Sequence, residues 1–329
     1  MNNLKTLGKT KRKPKDYGKV AVLMGGDSSE REISLVSGKF ALDNLLAAGV
    51  DAHAVDVRQD TIIDKLRAGK FDAAVIILHG PGGEDGNIQA VLENLRIPYS
   101  GSGILASALT MNKWLTKQVW KGLGLPVVPG CLVTHETDLK QLAQDYGFPM
   151  AIKAASEGST IGISKVMSFE ELPAAIKDSQ KYDSMVIAEP WIQGDEYTLG
   201  VIGEDVLPSI KIVPAKGFYD FYTKYQANDT QYLLPSGLSD MEEAQLRKLC
   251  KRAFEAVGCS GWGRLDIMRD KDGQFLLLEL NTIPGLTDHS LVPKEVVYLG
   301  YTGVDLMLAI LESAFTNAVE LADSQLGDA

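Results

Sequence analysis

The sequence predicts an α/β protein: an N-terminal parallel α/β unit, then a two-lobed α+β region whose last part is antiparallel. Three observations carry this. Apolar strand-like runs alternate with helical runs over residues 19–94, the rhythm of a parallel sheet covered by helices. Gly124-Leu-Pro126 and Pro129 punctuate the chain and mark a boundary. From Glu196 onward short strand-like runs follow one another and finish in a hairpin signal at Asp272-Gly273.

The elements follow in order. Lys19–Met24 reads as a strand, Ser28–Ala48 as a helix, Ala52–Val57 as a strand, Thr61–Ala68 as a helix, Ala73–Leu78 as a strand and Gly86–Asn94 as a helix. A single helix is expected over Leu105–Gly122. Strands near Val128–Val133, Met150–Ala154, Ser164–Val166 and Met185–Glu189 come next, with helices near Glu136–Tyr146 and Phe169–Asp178. The antiparallel part has strands Thr198–Ile202 and Val206–Val213, a long polar–aromatic loop, a helix over Asp240–Ala256, and the hairpin. A last helix runs from about Gly303 to Ala318. The expected division is a disordered basic tail over 1–16, an N-terminal domain over 17–112, a central lobe over 113–195, a C-terminal lobe over 196–318 and a loose tail over 319–329.

Composition narrows the function. The 329 residues are 45% hydrophobic and 23% charged, ordinary for a globular protein. A net charge of −10 argues against nucleic acid or an anionic membrane as partner. Cys131, Cys250 and Cys259 have no metal-ligand or redox spacing, which fits a reduced, cytoplasmic setting. Lys5, Lys9, Lys11, Arg12, Lys13 and Lys15 open the chain without an acid, but no long apolar run follows to make a leader.

Ligands bind parallel sheets beyond the carboxyl ends of the strands. The loops after Met24 and Leu78 are therefore candidates. Met24-Gly-Gly-Asp27-Ser28-Ser29-Glu30 could cradle a ligand at a helix start, or Asp27 and Glu30 could form a capping box. His79-Gly80-Pro-Gly82-Gly83-Glu84-Asp85-Gly86 has more glycine than a turn needs, which suggests close approach to a ligand. Lys153 precedes a small hydroxyl-bearing loop, Glu157 to Ile163, suited to phosphate but lacking the Walker ending. Glu189, Trp191 and Glu196 sit in a connector that could hold a ribose and base or could simply be solvated. Phe218 to Tyr225 could form a lid.

The hairpin is the sharpest feature. With a two-residue turn at Asp272-Gly273 and Lys271 facing Gln274, Asp266 falls opposite Glu279 and Arg264 opposite Asn281. Facing carboxylates among Leu265, Ile267, Leu278 and Leu280 repel and need a cation. Their hard oxygens suit Mg²⁺ shared with phosphates. The alternative is the charged outer face of an ordinary hairpin.

In this order the segments GGDSSEREIS, LHGPGGEDGNIQ, YSGSGILASALTMNK, EGSTIGISKV, KYQANDTQY, GWGRLDIM and LELNTIPGLTDHSLVP closely resemble the D-alanine–D-alanine ligases of the ATP-grasp superfamily. The resemblance runs from about Lys19 to Glu312. It implies a pre-ATP-grasp domain followed by an ATP-grasp fold, and joining of two D-alanines through an acyl phosphate for peptidoglycan synthesis. It also implies roles at matched positions. Lys113 and Lys153 would contact ATP phosphates under the Ser159 loop. Glu189, Trp191, Ile192 and Glu196 would frame adenine and ribose. Asp266, Glu279 and Asn281 would hold two Mg²⁺ ions, or Mn²⁺. Glu30 would bind the first D-alanine ammonium with His79 nearby. Arg264 and the Gly285 N–H would form an oxyanion hole, Ser290 and Leu291 would receive the second carboxylate, and Lys224 and Tyr225 would lie on a mobile loop. The expected partners are ATP and two D-alanines, in a homodimer.

Two departures stand out. Lys153-Ala-Ala-Ser156-Glu157 lacks the proline and basic residue common after the strand lysine, and Asp288 replaces a small polar residue. A D-alanine–D-lactate ligase is the nearest alternative, which Tyr225 disfavours. A nucleotide-binding regulator that has lost the chemistry is the other.

Overall fold

In the computed structural model, which describes residues 4–58, 60–157, 162–214, 230–287 and 289–326, the chain builds three sheets. The first is parallel, with β1 (Lys19–Gly25), β2 (Asp51–Val57) and β3 (Ala73–Ile76) in the order β2-β1-β3. Central β1 is buried from Val20 to Gly25, as a strand covered on both faces must be. Helices α1 (Arg31–Ala47), α2 (Ile62–Gly69) and α3 (Asn87–Leu95) complete this unit.

Helix α1 starts three residues later than expected, and Asp27 does not cap it. Two positive-φ glycines, Gly25 and Gly26, prolong the loop. The Glu30 N–H then donates to Ser28 Oγ, whose own hydroxyl donates to the His79 carbonyl. Asp27 pairs instead with Arg58 at 2.7 Å. The capping-box reading is therefore wrong, and Glu30 stands at the N-cap with no side-chain capping bond.

The helix expected over Leu105–Gly122 is two helices, α4 (Ile104–Met111) and α5 (Lys113–Gly122). Asn112 divides them. Its backbone is extended and its side chain accepts the Leu115 N–H, which caps α5. This break makes Lys113 the first residue of a helix.

The central sheet is antiparallel, with β4 (Cys131–Val133), β5 (Met150–Ala154), β6 (Ile163–Val166) and β7 (Val186–Pro190) in the order β4-β7-β5-β6. Helices α6 (Leu139–Tyr146) and α7 (Leu172–Ser179) accompany it, and their Leu142, Leu172 and Ile176 join its core. The third sheet contains β8 (Gly194–Ile202), β9 (Asp205–Val206), β10 (Ile210–Val213), β11 (Gln231–Leu233), β12 (Trp262–Asp270) and β13 (Phe275–Asn281). Its main path is β11-β10-β8-β12-β13, with β9 paired to β8. Helix α8 (Asp240–Ala256) opens on a capping box between Ser239 and Glu242 and covers one face. Then come α9 (Leu291–Tyr298), which the sequence reading did not anticipate, and α10 (Gly303–Leu326). α10 continues through Leu326, beyond the expected end at Ala318. Among the described residues no single helix is long and apolar enough to cross a membrane.

The ends of the chain tie the units together. Val292, Val296, Leu306 and Ile310 enter the same core as Val22 and Ile76 of the parallel sheet. The basic segment expected as a disordered tail is packed from Leu4 onward. Leu7 is fully buried and Leu4 nearly so. The Asp205 carboxylate accepts the backbone N–H groups of Lys5, Thr6 and Leu7 at 2.7, 2.8 and 2.9 Å. Arg12 pairs with Glu312 at 2.8 Å and lies over the Phe315 ring. The lysines made the segment read as solvated, but its two leucines and its backbone donors decide its place. Deleting residues 1–8 should lower the unfolding free energy by about 3 kcal/mol, from lost apolar burial and three charge-assisted bonds. Urea midpoints measure this, and an unchanged midpoint would show that the contacts add nothing.

Candidate active site

The hairpin reaches the expected pairing by an unexpected route. Arg264 faces Asn281 and Asp266 faces Glu279. The turn, however, is longer than two residues. The Asp270 N–H donates to the Gln274 carbonyl around Lys271, Asp272 and Gly273, with Gly273 at φ +83. That turn alone would leave the strands one residue out of register. A bulge at Leu278 corrects it, since Ile267 faces Leu277 while Asp266 faces Glu279. The bulge also breaks the alternation of β13. Leu277 and Leu280 stay in the core, and the two residues between them turn outward.

The facing acids do have cations, and the protein supplies them. Arg264 grips Asp266 with two bonds, Nε to Oδ1 at 2.9 Å and Nη2 to Oδ2 at 2.7 Å, and the Thr198 hydroxyl adds a third at 2.6 Å. Lys113 Nζ lies 3.2 Å from Glu279 Oε2 and also donates to the Glu157 carbonyl. Three hard oxygen donors on one face, two of them already holding cations, match what a divalent metal asks of a site.

This face forms one wall of a polar cavity. Glu30, His79 and Glu84 contribute from the loops beyond β1 and β3, and Gly285, Ser290 and Leu291 from the approach to α9. His79 lines it, yet both ring nitrogens are engaged. Nδ1 donates to the Ile283 carbonyl at 2.9 Å, and Nε2 meets Ser37 Oγ at 3.1 Å. Burial holds its pKa below the usual range, so the ring is neutral. The glycines of this loop leave room chiefly for protein atoms. A Cβ on Gly80 would come 2.8 Å from Glu30 Oε2, and one on Gly83 would come 2.3 Å from the Leu78 carbonyl oxygen. Ser290 is partly committed as well: its Oγ accepts the Thr287 N–H at 2.8 Å and meets Thr287 Oγ1 at 3.0 Å.

Glu84 was not singled out from the sequence. Its carboxylate accepts the N–H groups of Gly80 at 2.7 Å and Ile283 at 3.3 Å, joining the two loops. Enclosure, then the nearby Glu30 charge, push its carboxyl up to about 8. Between about pH 5 and pH 8 the folded chain thus keeps a proton that the unfolded chain has released. Stability must decline as pH rises through that window. Glu84→Gln should remove the decline, so its stability relative to the parent should grow by about 3 kcal/mol between about pH 5 and pH 8. Urea unfolding across that range reads it. A gap that stays constant with pH would count against the assignment.

A second cavity, of about 640 Å³, lies between the central and third sheets. Lys153, Glu189, Trp191, Ile192 and Glu196 line it, with Met268 and Leu278 as apolar wall, and it shares Lys113, Ile212 and Glu279 with the polar cavity. An apolar chamber with ammonium groups at one end suits a nucleotide. Glu189 is buried between two lysines: Oε2 meets Lys153 Nζ at 2.7 Å and Oε1 meets Lys117 Nζ. Lys117 escaped the sequence reading. Lys113, Lys117 and Trp120 occupy i, i+4 and i+7 of α5 and are all buried, a spacing that could have revealed it. Ser159, Lys224, Tyr225 and Asp288 lie outside the described residues.

Two family models match the chain. One, described as D-ala D-ala ligase N-terminus, matches residues 59–102, and the other, D-ala D-ala ligase C-terminus, matches residues 119–312. The chain belongs to the D-alanine–D-alanine ligase family. The D-alanine–D-alanine ligase of Ectopseudomonas mendocina is 53% identical over 298 residues, covering 91% of this chain and 95% of that protein. That of Alkalilimnicola ehrlichii is 51% identical over 294 residues, covering 89% and 94%. Among solved structures, the Bacillus anthracis D-alanine–D-alanine ligase complexed with ATP aligns with a TM-score of 0.80 at 30% identity, over 92% of this chain and 99% of that one. The parallel sheet followed by two antiparallel sheets is thus the D-alanine–D-alanine ligase fold, and the chain is an ATP-dependent ligase.

Proposed function

We propose that the chain joins two D-alanines into D-alanyl-D-alanine by way of D-alanyl phosphate, in the cytoplasm, to supply peptidoglycan precursors. The observation that carries the residue-level reading is the junction of the two cavities at Lys113 and Glu279. A phosphoryl group bound in the larger one can reach a carboxylate bound in the smaller.

A carboxylate is a poor electrophile. In this reading an oxygen of the first D-alanine attacks the γ-phosphorus of ATP, ADP leaves, and the acyl carbon becomes reactive. Lys113 and Lys153 offset the phosphate charge. Glu30 binds the ammonium of the first D-alanine, and Trp191, Ile192 and Glu196 hold adenine and ribose, with Glu189 behind them. Asp266, Glu279 and Asn281 would hold Mg²⁺, which when bound neutralises the developing phosphate charge. The second D-alanine, its carboxylate at Ser290 and Leu291, attacks as a neutral amine. Arg264 and the Gly285 N–H stabilise the oxyanion that forms, phosphate leaves, and the amine gives up its extra proton. Ser159, Lys224 and Tyr225 are assigned to the loops that close the site against water.

Phosphate release from ATP and Mg²⁺ across D- and L-amino acids tests the reading, with D-alanine expected to stand out. Competing D-alanine against D-lactate at neutral pH tests the product. Predominant depsipeptide would refute dipeptide formation, and no phosphate release with D-alanine would refute the ligase.

A further inference from the structure

Lys117 and Glu189 are each 2% exposed, so their charges persist only because they are paired. Glu189 serves two ammonium groups, one on each carboxylate oxygen. With both lysines protonated, the cluster keeps one surplus positive charge. Lys153 lines the nucleotide cavity, whereas Lys117 lines a separate cavity of about 240 Å³ behind Glu189. The chain makes room for this arrangement. A Cβ on Gly130 would come 2.7 Å from Glu189 Cγ and 2.9 Å from the Ala188 carbonyl oxygen.

We propose that Lys117 is a positioning residue for the nucleotide phosphates. By taking one oxygen of Glu189 it leaves Lys153 only partly neutralised and sustains a positive charge at the end of the nucleotide cavity. It acts without touching the ligand. Without Lys117, Glu189 and Lys153 form a closed neutral pair and the attraction for phosphate is lost. The charged groups facing Lys117 are Glu189 from β7 and Lys153 from β5, with Lys113 and Lys121 one turn away on its own helix. Burial and the Lys153 charge bring its pKa down to about 7 against the pull of Glu189. The surplus charge therefore fades above neutral pH.

The test is calorimetric titration of the full-length protein with ADP and with adenosine, without added metal, at about pH 6.5 and about pH 8.5. Lys117→Met should bind ADP about tenfold more weakly than the parent at the lower pH, with adenosine changed less than about twofold. The ADP difference should shrink at the higher pH. Lys117→Gln keeps a donor to Glu189 but no charge, so it should behave like Lys117→Met and decides the matter if that variant does not fold. Equal weakening of ADP and adenosine would mean a purely structural role and overturn the proposal, as would ADP affinity within about twofold of the parent. The proposal rests on the nucleotide reading of the larger cavity. A parent protein that binds no ADP would overturn that reading, whereas a binding parent with an unchanged variant overturns only the role of Lys117.

Discussion

Glu279→Gln should lower kcat by about three orders of magnitude while leaving the fold intact. Glu279 is one of three residues, with Lys113 and Ile212, that line both cavities, and it is the only acid among them. Its carboxylate faces Asp266 across the ladder and lies 3.2 Å from Lys113. Its side chain keeps 28% of its surface exposed, so an isosteric amide removes charge without opening a hole. Three consequences follow from that one charge. Lys113 loses its acidic partner, the proposed metal set loses a carboxylate, and the reacting phosphate loses the centre that neutralises it. Manganese affinity without nucleotide provides a readout independent of turnover and should fall at least about tenfold. Parent-like kcat at ordinary Mg²⁺ would remove Glu279 from the chemistry. Weak turnover with unchanged Mn²⁺ affinity would leave it a role toward Lys113 alone.

The fold was legible where one physical rule dominates. The parallel unit follows from alternating apolar strands and helices, and its strands fall within a few residues of expectation. Errors arose where a local pattern had two readings. Leu105–Gly122 is continuously helical by composition, and only the capping habit of Asn112 betrays the break that makes Lys113 an N-terminal residue. Asp27 and Glu30 satisfy the capping-box spacing, but positive-φ glycines upstream move the helix start beyond it. The hairpin is the most instructive case. Its pairing was right although its turn was wrong, because a longer turn and a bulge at Leu278 offset each other. Periodicity locates the residues that face a site, but it cannot see a bulge that returns a strand to register. Nor can it see that Glu189 joins two buried lysines, since that contact depends on how α5 crosses the central sheet.

Arg264→Met should reduce kcat about 10²–10³-fold, the usual loss when an oxyanion donor is removed. It should also destabilise the protein, and the two effects have separable causes. Arg264 and Asp266 sit two residues apart on β12 and share a two-bond ion pair, with side chains only 17% and 7% exposed. Removing the guanidinium strands a buried carboxylate that keeps only the Thr198 hydroxyl among its side-chain bonds described above, a loss of about 3 kcal/mol. Arg264→Met combined with Asp266→Asn deletes the orphaned charge as well. Its stability should recover most of the way to the parent, by urea unfolding, while turnover stays low because the donor is still missing and the proposed metal set has lost a carboxylate. The alternative is that Arg264 serves only to neutralise Asp266. In that case, with substrates saturating, Arg264→Met should lose activity only as far as it loses folded protein. Arg264→Lys discriminates further. It keeps a charge for Asp266 but not the planar pair of donors, so it should hold most of the stability and little of the rate. A lysine variant with near-parental kcat would mean that charge alone is needed at this position, and the assignment of a directed guanidinium donor to the oxyanion would fall.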